Sequence, residues 1–145
     1  MQKLINDAKN VANTFDVSTL KDCAVVYSVS YMPNEKNKEL ALEYLKNNSS
    51  AKILDRTPCG KALIDLGLHG KVNEIATEIT NIWKIASTRF VTNASGNIVA
   101  FVDGADERST FYSVELKEIL KNPAITKING IDKFVFAKNF TFTRY

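Results

Sequence analysis

Ile98-Val99-Ala100-Phe101-Val102 is an unbroken apolar run of strand length, closed by Asp103-Gly104. A strand with one wet face alternates apolar and polar residues; one that does not alternate has both faces covered. Among helical patterns this implies a parallel sheet with helices packed on both sides. Cys23-Ala24-Val25-Val26-Tyr27 repeats the texture nearer the N-terminus. Ile125 to Ile128 and Lys133 to Phe136 read as further short strands, divided by Asn129-Gly130.

The helical patterns surround these runs. Leu4, Ile5, Ala8, Val11, Ala12 and Phe15 recur at helical spacing and predict a helix over 2–15. Pro33-Asn34 opens a second, through about Leu45, with Leu40, Ala41, Tyr44 and Leu45 as its inner face and a polar loop from Asn47 to Ser50. Thr57-Pro58 gives an N-cap and a first-turn proline, and Gly67 stops that helix. Val72, Ile75, Ala76, Ile79, Ile82, Trp83, Ala86 and Phe90 carry the strongest period, predicting a helix over about 71–91. Residues 113–121 look helical and stop before Pro123. The expected fold is α/β. A mainly helical part with one strand (about 1–91) precedes an α/β part (96–145), with a small parallel sheet flanked by helices. The 145 residues suit a single domain, since a chain near this size hides roughly 68–70% of its unfolded surface.

Composition excludes several function classes. The 19 Lys and Arg against 16 Asp and Glu leave a net charge of +3. Basic and acidic residues are interleaved (Glu35, Lys36, Lys38, Glu39; Glu115, Lys117, Glu118, Lys121), which argues against a nucleic-acid partner. Cys23 and Cys59 cannot build a disulfide scaffold, and with His69 they fall short of a four-ligand zinc site, so no metal is expected. No stretch approaches the roughly 20 apolar residues of a membrane span. Met1 to Asp7 lacks a signal peptide's apolar run, so export would rest on an address upstream of this chain. Gly60-Lys61 lacks the earlier glycine and following hydroxyl of a phosphate-binding loop, and no Gly-x-Gly-x-x-Gly turn follows a strand.

Few residues are left to carry chemistry. His69 reads as an exposed turn histidine. Cys59 lies in a helical first turn, where the dipole lowers a thiol pKa, but small packed residue is the reading favoured for it and for Cys23. Trp83 sits in the apolar stripe as a core tryptophan would, yet Ser87, four residues on, shares its face. An aromatic plane beside a hydroxyl is also a platform for a flat heterocycle. Glu115 reads by itself as a solvated helix-surface carboxylate. Its setting, Ser109-Thr110-Phe111-Tyr112-Ser113-Val114-Glu115, is a strand-to-helix junction of the kind that binds ligands in α/β sheets.

That segment resembles the Ser-Thr-Phe-Gly-Ser-Val-Glu segment of the ADP-ribosyl cyclase / NAD glycohydrolase family. Ile82-Trp83-Lys84-Ile85-Ala86-Ser87-Thr88-Arg89-Phe90 is similar to the family's Phe-Trp-Lys-x-x-Ser-x-Arg-Phe helix. Leu54-Asp55-Arg56-Thr57, with Gly60 behind it, is similar to Leu-Glu-Asp-Thr-x-x-Gly. Val99 to Gly104 matches a strand ending in Asn-Gly, and Tyr27-Ser28 falls where the family has Trp-Ser. These fragments keep their order from about residue 24 to 136.

The resemblance implies an ADP-ribosyl cyclase-like fold and NAD as substrate, with no cofactor. It makes Glu115 the catalytic glutamate, Trp83 the indole stacking on nicotinamide and Asp55 the acid near its carboxamide. It places Ser87, Thr110 and Phe111 along the ribose and pyrophosphate, Tyr27 as a second stacking wall and Ser28 against a phosphate. Val29 stands where the family has an arginine, and Asp55-Arg56 where it has an acidic pair. The smaller Asp55 and Tyr27 leave room for water, favouring hydrolysis over cyclisation. Small size and lack of disulfides imply a bacterial NAD glycohydrolase. It would be the toxic C-terminal domain of a larger secreted or contact-delivered protein, as in contact-dependent growth inhibition. Such a toxin acts in the target-cell cytoplasm and is restrained in its producer by a cognate immunity protein. The alternatives are a ribonuclease-type toxin domain, motivated by the many lysines, and a non-enzymatic binding module in which Trp83 and Glu115 are merely packed or solvated.

Overall fold

The computed structural model describes residues 2–27, 36–67, 76–102 and 114–139. In chain order the elements are α1 (Gln2–Thr14), β1 (Val25–Tyr27), α2 (Lys36–Asn47), a 3-10 turn (Leu54–Arg56), α3 (Pro58–Asp65), α4 (Ala76–Thr92), β2 (Gly96–Phe101), α5 (Leu116–Lys121), β3 (Ile125–Ile128), β4 (Ile131–Asp132) and α6 (Lys133–Asn139). The fold is α/β, as the apolar runs require.

The strands form one sheet in the order β1-β2-β3-β4. β1 lies parallel to β2 with Val25 opposite Val99 and Tyr27 opposite Phe101. β3 is also parallel to β2, whereas β4 is antiparallel to β3. The antiparallel edge follows from Asn129-Gly130, both at positive φ (52° and 76°). Two such residues close a tight hairpin whose twist matches its strands.

The missing alternation has its expected cause. Ile98 and Ala100 of β2 and Val102 just past it, with Val26, Ile125 and Ile128, face the main core, built with α1, α3, α4 and α5. Val99 and Phe101 face the other way, onto a smaller cluster of Val25, Ala41, Leu45 and Ile53 under α2. There the Tyr44 and Phe101 rings lie 6.0 Å apart at 58°. A single sheet thus joins β1 of the helical part to the strands of the α/β part.

One expected strand is a helix. Lys133 to Phe136 belong to α6, because Asp132 Oδ2 accepts from the amides of Phe134 (3.0 Å) and Val135 (3.2 Å), capping a helical turn. Cys23 is half-buried just ahead of β1, and Cys59 is fully buried; both are free thiols. The Cys59 thiol donates to Val11 O (3.4 Å), and burial pushes its pKa up, against the lowering expected at a helix start. Among the described residues no helix is long and apolar enough to cross a membrane.

Candidate active site

Asp55 is held by the chemistry of Thr57 and Gly60. The Thr57 hydroxyl donates to Leu54 O (2.7 Å) and accepts from the Gly60 amide (3.1 Å), so one fully buried residue ends the 3-10 turn and caps α3. Gly60 lies directly against that turn. A Cβ there would collide with the Leu54 carbonyl and stand 2.8 Å from Asp55 Cα. Leu54-Asp55-Arg56-Thr57 with Gly60 is therefore a geometric unit that sets the Asp55 backbone. The half-buried Asp55 accepts a hydrogen bond from the Tyr27 hydroxyl (3.0 Å) at the carboxyl end of β1.

Glu115 leads into α5 through a wide π-type turn with Val114. Leu116 and Ile119, on the inner face of α5, are buried in the main core. Glu115 itself is only 6% exposed, so it is no solvated surface carboxylate. Burial, and after it the negative charge of Asp55, pushes its pKa up from 4.5 to about 8. At neutral pH its carboxyl holds a proton. Such an acid, displaced from its ordinary range by an identifiable charge partner, marks a candidate reactive centre.

Trp83 and Ser87 are one turn apart on α4, Trp83 half-buried against the main core and Ser87 buried. α4 packs against both the turn bearing Asp55 and the helix that follows Glu115. Its far end is pinned as well, since Arg89 donates to Ala12 O (2.7 Å) at the end of α1. The structure thus joins Tyr27 to Asp55 by a hydrogen bond and Asp55 to Glu115 through its field. It sets the helix of Trp83 and Ser87 against the elements carrying both acids. Ser28, Thr110, Phe111 and His69 lie outside the described residues. Among the described residues no three His, Cys, Asp or Glu side chains converge as metal ligands would.

Two features have no counterpart in the sequence pattern. The Tyr27 phenol, expected as a stacking wall, is bonded to Asp55. The Asn122 side-chain amide bonds to the end of α4. The only signal there was an asparagine before Pro123, which reads as an ordinary helix stop.

No protein-family model matches the sequence, and no curated protein matches it. Solved structures do. Porcine CD38 complexed with a covalent intermediate, ribo-F-ribose-5′-phosphate, is 25% identical with a TM-score of 0.54, over 81% of this chain and 63% of that one. Aplysia cyclase complexed with substrate NGD and product cGDPR is 15% identical with a TM-score of 0.59, over 97% and 76%. An ADP-ribosyl cyclase complexed with N1-cIDPR is 14% identical with a TM-score of 0.56, over 88% and 62%. The chain therefore spans less than two thirds of that CD38 chain's length. In architecture it has the fold of CD38 and ADP-ribosyl cyclase.

Proposed function

We propose that the chain cleaves the bond between nicotinamide and ribose in NAD, releasing nicotinamide and ADP-ribose. One observation carries this reading. Glu115, the glutamate of the Ser-Val-Glu motif, is a buried carboxyl whose pKa is raised by burial and by Asp55, in a chain with the fold of CD38. The pyridine of NAD is already cationic, so it leaves as a neutral molecule, taking the bonding electron pair and needing no proton. The barrier is then the positive charge left on the ribose.

Glu115 supplies the answering charge. A cationic pyridinium in the same low-dielectric site favours loss of the Glu115 proton to solvent, so substrate binding creates the carboxylate the reaction uses. Trp83 stacks on the departing ring and keeps water from it. Asp55, oriented by Tyr27, meets the carboxamide. Ser87, with Ser28, Thr110 and Phe111, lines the ribose and pyrophosphate. Water then adds to the anomeric carbon, its oxygen forming the new C–O bond and one proton passing to solvent. Tyr27 and Asp55 are smaller than the family's residues at those positions, and the room they leave for water supports hydrolysis over cyclisation. The porcine CD38 structure holds a covalent intermediate that contains a ribose-5′-phosphate, which supports chemistry at a ribose for this fold.

The same reading extends to biology. A small NAD-destroying chain with free cysteines fits a bacterial toxin domain carried by a larger delivered protein, with an immunity protein covering the site in its producer. Incubation with NAD, with chromatography of the products, tests the activity. Free nicotinamide is expected from the parent, and Glu115→Gln is expected to lose about 10²–10³-fold in rate, as for removal of one preorganised group. A folded Glu115→Gln variant with full activity refutes the assignment.

A further inference from the structure

The helix bearing Trp83 and Ser87 and the helix behind Glu115 are tied together at one residue, remote from those side chains. Asn122 ends α5, its backbone N–H donating to the carbonyls of Glu118 (3.0 Å) and Ile119 (3.2 Å). A helix cap commonly serves its own helix, but the Asn122 side chain serves another. Its Nδ2 donates to the carbonyls of Val91 (3.0 Å), Thr92 (3.1 Å) and Ala94 (3.1 Å), at the end of α4 and just past it. Its Oδ1 accepts from the Ala124 amide (2.9 Å). Its carbonyl accepts from Lys133 Nζ (2.7 Å), and that buried ammonium donates again to Ile119 O (3.2 Å).

Helical rise sets the leverage. At about 1.5 Å per residue, Trp83 lies roughly 13 Å from the Thr92 end of α4, and Glu115 roughly 10 Å from Asn122. A change of roughly 5° between the two helices at this clasp therefore moves either side chain by about 1 Å. A misplacement of that size can cost about 10²-fold in rate. We propose that Asn122 is a positioning residue. Its amide fixes the angle between α4 and α5, and so the placement of the Glu115 carboxyl relative to the Trp83 indole, with Lys133 holding Asn122 in place. The kinetic consequence rests on the proposed NAD cleavage; the geometric one does not.

Asn122→Asp isolates the clasp, because it keeps size and the acceptor for Ala124 but turns a donor into an acceptor facing three carbonyls. Asn93→Ala is the control: it removes a bond at the same end of α4 (Asn93 Nδ2 to Arg89 O, 2.8 Å). Asn122→Asp is expected to lower kcat for NAD cleavage by roughly 10–100-fold with little change in KM. It should also increase acrylamide quenching of Trp83, the chain's one tryptophan. Asn93→Ala should alter neither. Equal effects of the two variants, a kcat loss that only follows the folded fraction, or a change confined to KM overturns the proposal. If Asn122→Asp does not fold, Lys133→Met takes its place, with the same shifts expected and their absence equally decisive. Quenching is read without NAD, so a parent with no NAD cleavage sinks the proposed function while the clasp is still judged.

Discussion

Glu115→Gln should make the protein more stable at alkaline pH while slowing its NAD cleavage by about 10²–10³-fold. The carboxyl titrates near 4.5 in an unfolded chain and near 8 in the folded one, because burial and Asp55 disfavour its charge. Between those values the folded state binds more protons than the unfolded, so stability falls as pH rises through the window. Each pH unit there is worth about 1.4 kcal/mol, so the parent loses about 3 kcal/mol from pH 4.5 to 7 and about 5 kcal/mol by the top of the window. Glutamine cannot ionise and escapes that loss, but its amide brings donors into a buried site, costing about 1–3 kcal/mol where unpaired. The two terms cross. Glu115→Gln should match or fall below the parent at pH 5 and exceed it at pH 8.5. Denaturant unfolding of both proteins from pH 5 to 9 provides the comparison. Parallel pH profiles, or a variant less stable at pH 8.5, would show that Glu115 is not buried in this way.

The same titration should govern activity. In the free enzyme kcat/KM for NAD is expected to rise with pH towards a midpoint near 8, and Asp55→Asn should lower that midpoint by removing the charge that raises it; initial rates across pH decide. Gly60→Ala should destabilise by about 1–3 kcal/mol because its Cβ meets the Leu54 carbonyl and Asp55 backbone. Gly67→Ala meets no neighbour and carries only its left-handed strain, roughly 1–2 kcal/mol; thermal melts compare the two, and Gly60→Ala alone should also slow NAD cleavage. Tyr27→Phe should cost about 1.5–3 kcal/mol for a hydrogen bond to a charged group, read by denaturant midpoint, and an unchanged midpoint would count against the Tyr27–Asp55 bond.

The sheet and its helices were legible because period and run length are local properties. Thr57-Pro58 announced α3, and the Ile98 to Val102 run announced a strand covered on both faces. Lys133 to Phe136 misled because a short apolar run is compatible with strand and helix alike. The choice fell to the Asp132 side chain bonding two amides ahead, which run length does not register. Glu115 was legible as a motif but not as a buried acid, since the groups that surround it come from distant parts of the chain. Tyr27 and Asp55 stand 28 residues apart and meet only through the fold. Gly60 shows the reverse case: the glycine of a resemblance motif acquires a physical reason once its contact with the Leu54 carbonyl is seen.

Asn129 does for β2 what a strand would otherwise do. Its side-chain amide accepts from the Ala100 N–H (2.8 Å) and donates to the Ala100 carbonyl (2.9 Å), a side chain imitating a peptide unit. With Tyr27 opposite Phe101 on the other flank, the last rungs of β2 are occupied from both sides. No foreign strand can dock at that rung without first evicting Asn129. An aspartate would fit the space and still accept from the Ala100 N–H, but would set oxygen against the Ala100 carbonyl and lose half of that mimicry.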